Sequence, residues 1–336
     1  MLSENLKKLS LQMNLSSADF MPANQQEQDD LIKFTENTSF WKDAWRRLKQ
    51  NKIAMVALVV IILFILFAFI GPLLSPYTYD QQIRGDESLA PSLKHPFGTD
   101  LHGRDLLVRV MIGSRISLII GVGSAIIVLL IGSIYGAISG LLGGLADNFM
   151  MRIVEILYAV PDILIVILLS IVIKDPLKAA FNKGGALAGL QKLGPGIVAI
   201  FIVYGLLYWV GMARIVRGQV LQLKQMEYVN AATALGANRA RLIKRHLLPN
   251  CIGTLIVTTM LQIPSAIFTE AFLSFLGLGV SAPMASLGSL AASALDGIQS
   301  YPYRLLFPAA AISIIILAFN LFGDGLRDAL DPKLKK

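Results

Sequence analysis

Charged residues are scarce in this sequence. Asp, Glu, Lys and Arg make up 15% of the 336 residues, whereas soluble globular proteins carry about 25%. Apolar residues make up 55%, and the mean hydropathy is +0.63. This balance leaves too little charge for a water-facing surface, so it argues against a disordered chain, a coiled coil and an ordinary soluble enzyme.

Cysteine and histidine are also rare. Cys251 is the single cysteine, which excludes an internal disulfide and a metal cluster built on thiolates. His95 and His102 lie in one turn-rich segment, and His246 is expected on the other side of the membrane. The histidines therefore indicate neither a metal site nor the base of a membrane-embedded enzyme. The chain has no G-x-x-x-x-G-K-[ST] loop, so we expect it not to bind ATP itself.

Long apolar runs, in contrast, predict six transmembrane helices. About 20 apolar residues cross the hydrocarbon core of a bilayer, because backbone polar groups there must be satisfied within the segment. The uncharged stretch 271–295 is rich in Gly and Ser, and we expect a re-entrant hairpin there, with a seventh span as the alternative. The six predicted spans are 53–75, 116–146, 151–173, 193–213, 247–269 and 305–323.

The distribution of Lys and Arg predicts the orientation. With the N-terminus inside, the inner segments hold 20 of the 30 cations and the outer loops hold 10, which places both termini in the cytoplasm. The net charge of +8 then reflects topology and anionic lipid rather than nucleic acid. The predicted order is a cytoplasmic segment 1–52, a first transmembrane helix 53–75, an extracytoplasmic loop 76–115, a transmembrane core 116–323 that contains a cytoplasmic loop 214–250 and extracytoplasmic loops 174–195 and 277–304, and a cytoplasmic tail 324–336.

The N-terminal segment ends in a basic, aromatic entry to the first span. Trp41 and Trp45 lie beside Lys42, Arg46 and Arg47 in the sequence. Such a segment is expected to form a helix in the inner membrane interface. Residues 1–38 are weakly patterned, and no function is assigned to them.

A glycine stripe in the second span predicts close helix packing. Gly132, Gly136, Gly140 and Gly144 recur every four residues and would share one helix face. Such a face lets a neighbouring backbone approach closely. The alternative is that these glycines face lipid and are scattered by composition.

Three carboxylates lie in or near the spans, and Asp162 and Glu270 are the candidates for gating or for the substrate path. The third, Glu155, falls close to the predicted inner end of its span. Asp162 follows Pro161 at a predicted kink, where its side chain can cap the backbone groups that the proline frees. Glu270 lies where the predicted hairpin begins. Ionisable groups at membrane depth are costly, and for each residue a structural role and a contact with substrate or ion are both open.

The cytoplasmic loop 214–250 is predicted to contain two short helices. The first covers 225–235, with Gly236 as its stop signal. Asn238 is the expected N-cap of the second, which Pro249 is expected to end. An apolar face on the first helix is expected to fit the groove of a partner; it consists of Met226, Val229, Ala232 and Thr233.

The sequence EYVNAATALG at 227–236, followed by HLLP at 246–249, resembles the EAA loop of permease subunits in binding-protein-dependent ABC importers. Asn230 replaces the glutamate of the family pattern, His246 replaces its isoleucine, and Glu227 lies one turn earlier on a similar face. The matching residues are Ala231, Ala232, Gly236, Leu248 and Pro249.

Further blocks resemble the C-type subunit of the peptide importers. They are FGTD at 97–100 with GRD at 103–105 and GSRISL at 113–118, EAFLSFLGLG at 270–279, and GDGLRDALDP at 323–332. The first block would dock a binding protein or gate the outer mouth, or else form a folded cap in which Asp100, Arg104 and Asp105 satisfy one another. The loop 174–195 has no counterpart in this resemblance.

The resemblance implies an all-α polytopic protein of the type I ABC importer kind in the inner membrane of a prokaryote. It implies a non-enzymatic subunit without a cofactor or metal of its own, partnered by a B-type permease homologue, two cytoplasmic ATPase subunits that carry ATP and Mg²⁺, and an extracytoplasmic peptide-binding protein. Oligopeptides are the leading cargo; dipeptides, nickel chelates and peptide antibiotics are the alternatives. Coupling to the ATPase is expected at Glu227, Asn230, Ala231, Ala232, Gly236, Leu248 and Pro249.

An ion-coupled secondary transporter is the rival class. It would need its own ion site, such as paired carboxylates in facing broken helices. Only Asp162 and Glu270 are candidates for such a pair, and neither has an evident basic partner in the sequence.

Overall fold

The computed structural model describes residues 39–182, 194–280 and 284–331, and within these ranges the regular secondary structure is helical. Five helices are long and apolar enough to cross a membrane, and a bent helix pair provides a sixth span. The predicted all-α polytopic fold is therefore confirmed. Contacts divide the chain into two units, 1–45 and 46–336. The helices are α1 Phe40–Gln50, α2 Lys52–Phe69, α3 Gly71–Leu74, α4 Leu106–Leu142, α5 Gly144–Ala159, α6 Asp162–Asn182, α7 Pro195–Val203, α8 Trp209–Leu223, α9 Glu227–Ala234, α10 Arg239–Arg241, α11 Ile252–Phe275, α12 Leu287–Ser293 and α13 Tyr303–Leu330.

The helix of the second span is longer than predicted on its outer side and shorter on its inner side. It begins ten residues before position 116, at Leu106, because Asp105 caps it by accepting a hydrogen bond from the N–H of Val108 (2.9 Å). It ends at Leu142, because Gly143 and Gly144 adopt positive φ angles of 65° and 57°. The predicted range 116–146 was therefore wrong at both ends.

The third span is a broken helix rather than the single helix predicted over 151–173. Helices α5 and α6 meet at an angle of 87°. Val160 is extended (φ −93°, ψ 137°) because the following Pro161 disfavours helical backbone at the preceding residue. The predicted kink at Pro161 is confirmed, and Oδ1 of Asp162 accepts a hydrogen bond from the N–H of Ile163 (2.8 Å) at the start of α6.

The glycine stripe packs α4 against α8, but it has three members instead of four. A Cβ added to Gly132 would lie 2.6 Å from Cβ of Met212, and one on Gly136 would overlap the carbonyl oxygen of Ala213. A Cβ on Gly140 would lie 3.0 Å from the carbonyl oxygen of Arg217 in α8. Gly144 instead starts α5 and has open space around it, because the chain breaks at Gly143.

Replacing Gly136 with alanine is expected to destabilise the protein. The added methyl group would force α4 and α8 apart, and overpacking of this kind costs about 1–3 kcal/mol. Thermal unfolding of the purified protein in detergent measures the loss. Gly211→Ala is the matched control, because Gly211 lies in α8 with nothing within 4 Å of the added Cβ. Equal unfolding temperatures for the two variants would argue against the tight α4–α8 contact.

The described part of the hairpin after the fifth span does not cross the membrane. Helix α11 continues to Phe275, six residues beyond the predicted end at 269, and the turn that follows has Gly277 at φ +78°. Helix α12 has seven residues, too few for about 30 Å of hydrocarbon. It packs against α4, α11 and α13. The predicted loop 174–195 was wrong at its start, because α6 continues to Asn182, and residues 183–193 lie outside the described residues. Helix α13 carries the predicted tail as continuous helix to Leu330.

Candidate functional site

The loop 214–250 contains a short helix with a glycine stop, as predicted. Helix α9 ends before Gly236, whose φ is +83°. The N–H of Gly236 donates to the carbonyl of Thr233 (2.9 Å) and that of Ala237 to Ala232 (3.0 Å), which closes the last turn. Oδ1 of Asn238 then accepts a hydrogen bond from the N–H of Arg241 (2.8 Å), so the predicted N-cap is confirmed.

The prediction that the second helix of the loop ends at Pro249 is wrong. Residues Leu242–Leu247 form a π-helix and Leu248–Cys251 a 3₁₀ turn, and α11 follows directly. The change of helical register accommodates the missing N–H of the proline within a continuous helical stretch, Arg239–Phe275. The second helix of the loop and the fifth span thus form one continuous helical stretch.

Only part of the predicted apolar face of α9 packs on the protein's own core; Met226 and Thr233 are exposed, and the fit of this face to a partner's groove stays a prediction. Val229 is 3% exposed and belongs to the same cluster as Leu242 and Leu247, and Ala232 packs against that cluster. Sequence periodicity reveals an apolar face but does not say which surface covers it. The outward face presents Tyr228, which is 40% exposed, and Leu235, which is 89% exposed.

The remaining predicted coupling residues fall into two groups. The members of the first are exposed on α9 and its turn: Glu227, Asn230, Ala231 and Gly236. The second group comprises Leu248, which is partly buried, and Pro249, which is exposed, at the base of the fifth span. These groups share one end of the molecule but not one surface.

A partly buried ion pair joins α5 and α8. Nε and Nη2 of Arg217 each lie 2.6 Å from a carboxylate oxygen of Asp147, and the hydroxyl of Ser139 donates to the same carboxylate. Nζ of Lys224 donates to the carbonyl of Gly140 (2.9 Å). We call Ser139, Asp147, Arg217 and Lys224 the inner clamp. It joins the end of α4, the first turn of α5 and the end of α8, three residues before α9 begins.

Sequence reasoning missed the inner clamp. Asp147 and Arg217 are 70 residues apart, and no local spacing links them. The available signal was weak: an acidic residue just after a Gly-Gly break and a cation at the inner end of a span.

The broken third span borders a cavity of about 530 Å³. Asp162 is exposed and forms part of its wall, and the π-helical turn before α8 and helix α11 contribute further polar groups. Those groups are Tyr208, Gln262 and Ser265. Among the described residues, no group of three His, Cys, Asp or Glu is placed to hold a metal ion.

Glu270, the other predicted intramembrane carboxylate, is fully buried and does not line this cavity. Its carboxylate accepts hydrogen bonds from the hydroxyls of Ser117 in α4 (2.7 Å) and Ser274 in α11 (2.7 Å). The Ser274 oxygen in turn accepts one from the N–H of Val280 in the hairpin (3.0 Å). Glu270 therefore ties two spans to the hairpin, an arrangement that suits a structural or gating role better than contact with a solute.

Replacing Glu270 with alanine is expected to cost about 1–3 kcal/mol, because two buried hydroxyl groups lose their acceptor. Glu270→Gln keeps one acceptor oxygen and should fall between alanine and wild type. Thermal unfolding in detergent measures the effect. The control is Glu155→Ala, since Glu155 pairs with Arg152 at an exposed surface site and should change little. A Glu270→Ala protein as stable as this control would refute the structural role.

The block 97–105 folds into a polar cap. Oδ2 of Asp100 lies 2.7 Å from Nε of Arg104 and 3.1 Å from Nη1 of Arg109. Burial raises the pKa of Asp100, but the N–H groups of Arg104 and His102 and the charge of Arg109 outweigh it and hold the pKa below 3.8. Asp105 was expected in this cluster but lies outside it. Its Oδ2 lies 2.8 Å from Nδ1 of the buried His95, and its Oδ1 caps α4.

Comparison with known proteins covers nearly the whole chain. Residues 132–336 match the family described as binding-protein-dependent transport system inner membrane component, and residues 39–91 match the N-terminal TM domain of oligopeptide transport permease C. The chain is 47% identical to the oligopeptide transport system permease protein OppC of Bacillus subtilis over 96% of this chain and 99% of that protein. It is 48% identical to the dipeptide transport system permease protein DppC of the same organism, over 89% and 87%. It is 42% identical to OppC of Escherichia coli K12, over 89% and 93%.

Proposed function

The chain belongs to the family of binding-protein-dependent transport system inner membrane components, and on that premise we propose that it is the C-type permease subunit of an ATP-driven oligopeptide importer. The observation that carries the coupling mechanism is α9. It is a short helix with an exposed outer face, fixed by its inner face to the continuous rod of the fifth span. A helix in this position can pass movement from a cytoplasmic partner to the membrane part.

We propose that the energy comes from partner subunits. The complex would contain this chain, a B-type permease homologue, two cytoplasmic ATPase subunits that hold ATP and Mg²⁺, and an extracytoplasmic peptide-binding protein. This chain would act as a transport subunit and not as an enzyme. Closure of the ATPase dimer would displace α9 and rock the spans between inward-open and outward-open states.

Each coupling residue has a distinct part in this proposal. Glu227, Asn230 and Ala231 would contact the ATPase from the outer face of α9, together with the more exposed Leu235. The inward-facing residues would hold α9 in place, and the turn glycine would set its angle. Leu248 and Pro249 would transmit the motion of α9 at the change of helical register where the fifth span begins. The inner clamp would keep the α4–α5 corner moving with α8.

We propose that the complex lies in the cytoplasmic membrane with both termini inside. The predicted positive-inside bias supports this orientation. Helix α1 has a hydrophilic face and exposed Trp41 and Trp45, which suits the membrane interface.

Dipeptides are the second candidate cargo. The relatives named for dipeptide transport match this chain as well as those named for oligopeptide transport. Uptake of labelled peptides of two to six residues, in competition, would establish the length range.

Reconstitution tests the function itself. The complete complex in proteoliposomes should take up labelled peptide into the vesicles only when ATP is enclosed in the lumen, on the side of the ATPase subunits, and the binding protein is present in the external buffer. Uptake driven by an ion gradient without ATP would instead support a secondary transporter and refute the proposal.

A further inference from the structure

We propose that Asp162 receives the α-ammonium group of the peptide as it crosses the membrane. The inference rests on the proposed function, and it assigns a chemical role to one residue of the translocation path. Its basis is the break in the third span and the cavity beside it.

Negative potential converges on the cavity from two sources. The wall of the cavity includes the last residues of α5, from Leu157 to Ala159. The final carbonyls of a helix lack intrahelical partners and carry the negative end of the helix dipole. Asp162 adds a carboxylate three residues further on, as the first residue of α6, where its full negative charge exceeds the positive charge of about one half at that helix end. Carbonyl ends and a carboxylate together form a site for a cation.

Asp162 also lacks the arginine partner that other acidic residues of this chain have. Asp100, Asp147 and Glu155 each have an arginine nitrogen within 2.6–2.9 Å. In the described part of the chain, no ion pair involves Asp162. The bond from the N–H of Ile163 occupies one oxygen of this carboxylate.

A cation is nearby, but it is engaged elsewhere. Arg214 stacks on the ring of Tyr158, a residue of the cavity wall, with its Cζ 4.1 Å from the ring centroid. The hydroxyl of Tyr208 is a further hydrogen-bond partner of Asp162, and it is neutral. A carboxylate without a cationic partner in a membrane span is costly, and such residues mark substrate or ion pathways.

The size and composition of the cavity favour a peptide over a metal ion or an ammonium ion as its ligand. About 530 Å³ lies within the range of sites for small organic ligands and far exceeds what a metal ion or ammonium ion needs. Tyr208, Gln262 and Ser265 offer hydrogen bonds, while Leu157 and Ile165 offer apolar contact. Every unmodified peptide carries an α-ammonium, so one carboxylate can engage peptides regardless of their side chains.

Photolabelling of the complete complex tests this role. The probe is a tripeptide with a free α-ammonium and a photoreactive second residue, and its N-acetylated form is the paired probe. In the wild type, the free probe should label the 157–165 segment. Asp162→Asn and N-acetylation should each reduce this labelling about tenfold, as expected for loss of a charge-assisted hydrogen bond. Asp162→Glu should restore much of it.

The control variant is Glu155→Gln, which removes an exposed carboxylate from α5 and should leave labelling unchanged. Equal thermal unfolding of Asp162→Asn and wild type shows that the fold is retained. Equal labelling of wild type and Asp162→Asn by the free probe, or equal labelling by the two probes, overturns the inference. If wild-type proteoliposomes still show ATP-dependent peptide uptake in that case, the proposed function stands; if they show none, both fall.

Discussion

Replacing Gly236 with leucine is expected to lower ATP-driven peptide uptake at least about tenfold while the subunit still inserts into the membrane. The backbone at this position has φ +83°, where a residue with a Cβ pays about 1–3 kcal/mol. Relaxing that strain would break the two hydrogen bonds that close α9 and would tilt its outer face. No atom lies within 4 Å of an added Cβ, so the effect arises from the turn and from the partner rather than from a clash within this chain.

Gly85→Leu is the matched control. Gly85 has φ +92° and nothing within 4 Å of an added Cβ, but it lies in the loop that we propose to be extracytoplasmic. The two variants therefore carry similar strain in two different loops. Copurification of the ATPase subunits and uptake by proteoliposomes should both be impaired in Gly236→Leu and nearly normal in Gly85→Leu. Full uptake by Gly236→Leu with the ATPase still bound would contradict the coupling role.

Replacing Asp147 with asparagine is expected to uncouple ATP hydrolysis from transport. Breaking one side of a fully buried ion pair costs about 3–5 kcal/mol. The cost here should be smaller, because the Arg217 side chain retains 32% of its exposure. We expect the complex to assemble and hydrolyse ATP while peptide uptake falls about tenfold, because the α4–α5 corner no longer follows α8. The measurement is the ratio of peptide transported to ATP hydrolysed in proteoliposomes.

Two further variants show whether the clamp acts through its geometry. Arg217→Lys keeps the charge but loses the paired nitrogen contacts, so it should have an intermediate ratio. Glu155→Gln removes one partner of an exposed pair and should leave the ratio unchanged. A ratio for Asp147→Asn equal to that of the wild type would remove the clamp from the mechanism.

The membrane spans could be predicted because their signals are local. A run of apolar residues has to satisfy its own backbone in lipid, so five runs identified helices whatever their neighbours. The kink at Pro161 and the stop at Gly236 were equally local, since each depends on the backbone preference of one residue. Helix ends were less accurate, because α4 starts at a cap that lies outside the apolar run.

Features that depend on distant contacts could not be predicted. The Asp147–Arg217 pair joins residues 70 positions apart. Val229 has the spacing of an exposed knob, yet it is buried because the fifth span passes beneath α9. Pro249 is a strong breaker by itself, but a register change before it keeps the helical stretch continuous. Each of these outcomes is decided by packing, which a single sequence does not display.

The central claim is that α9 meets the ATPase subunit and moves with its nucleotide cycle, and site-directed cross-linking tests it most directly. Leu235→Cys places a thiol at a position that is 89% exposed, in a background where the single native cysteine is replaced (Cys251→Ser). A bifunctional thiol reagent should join this residue to single cysteines in the ATPase cleft, with a yield that changes between the nucleotide-free and ATP-bound complexes. No cross-link to the ATPase at any cleft position, in a complex that still takes up peptide, would contradict the account.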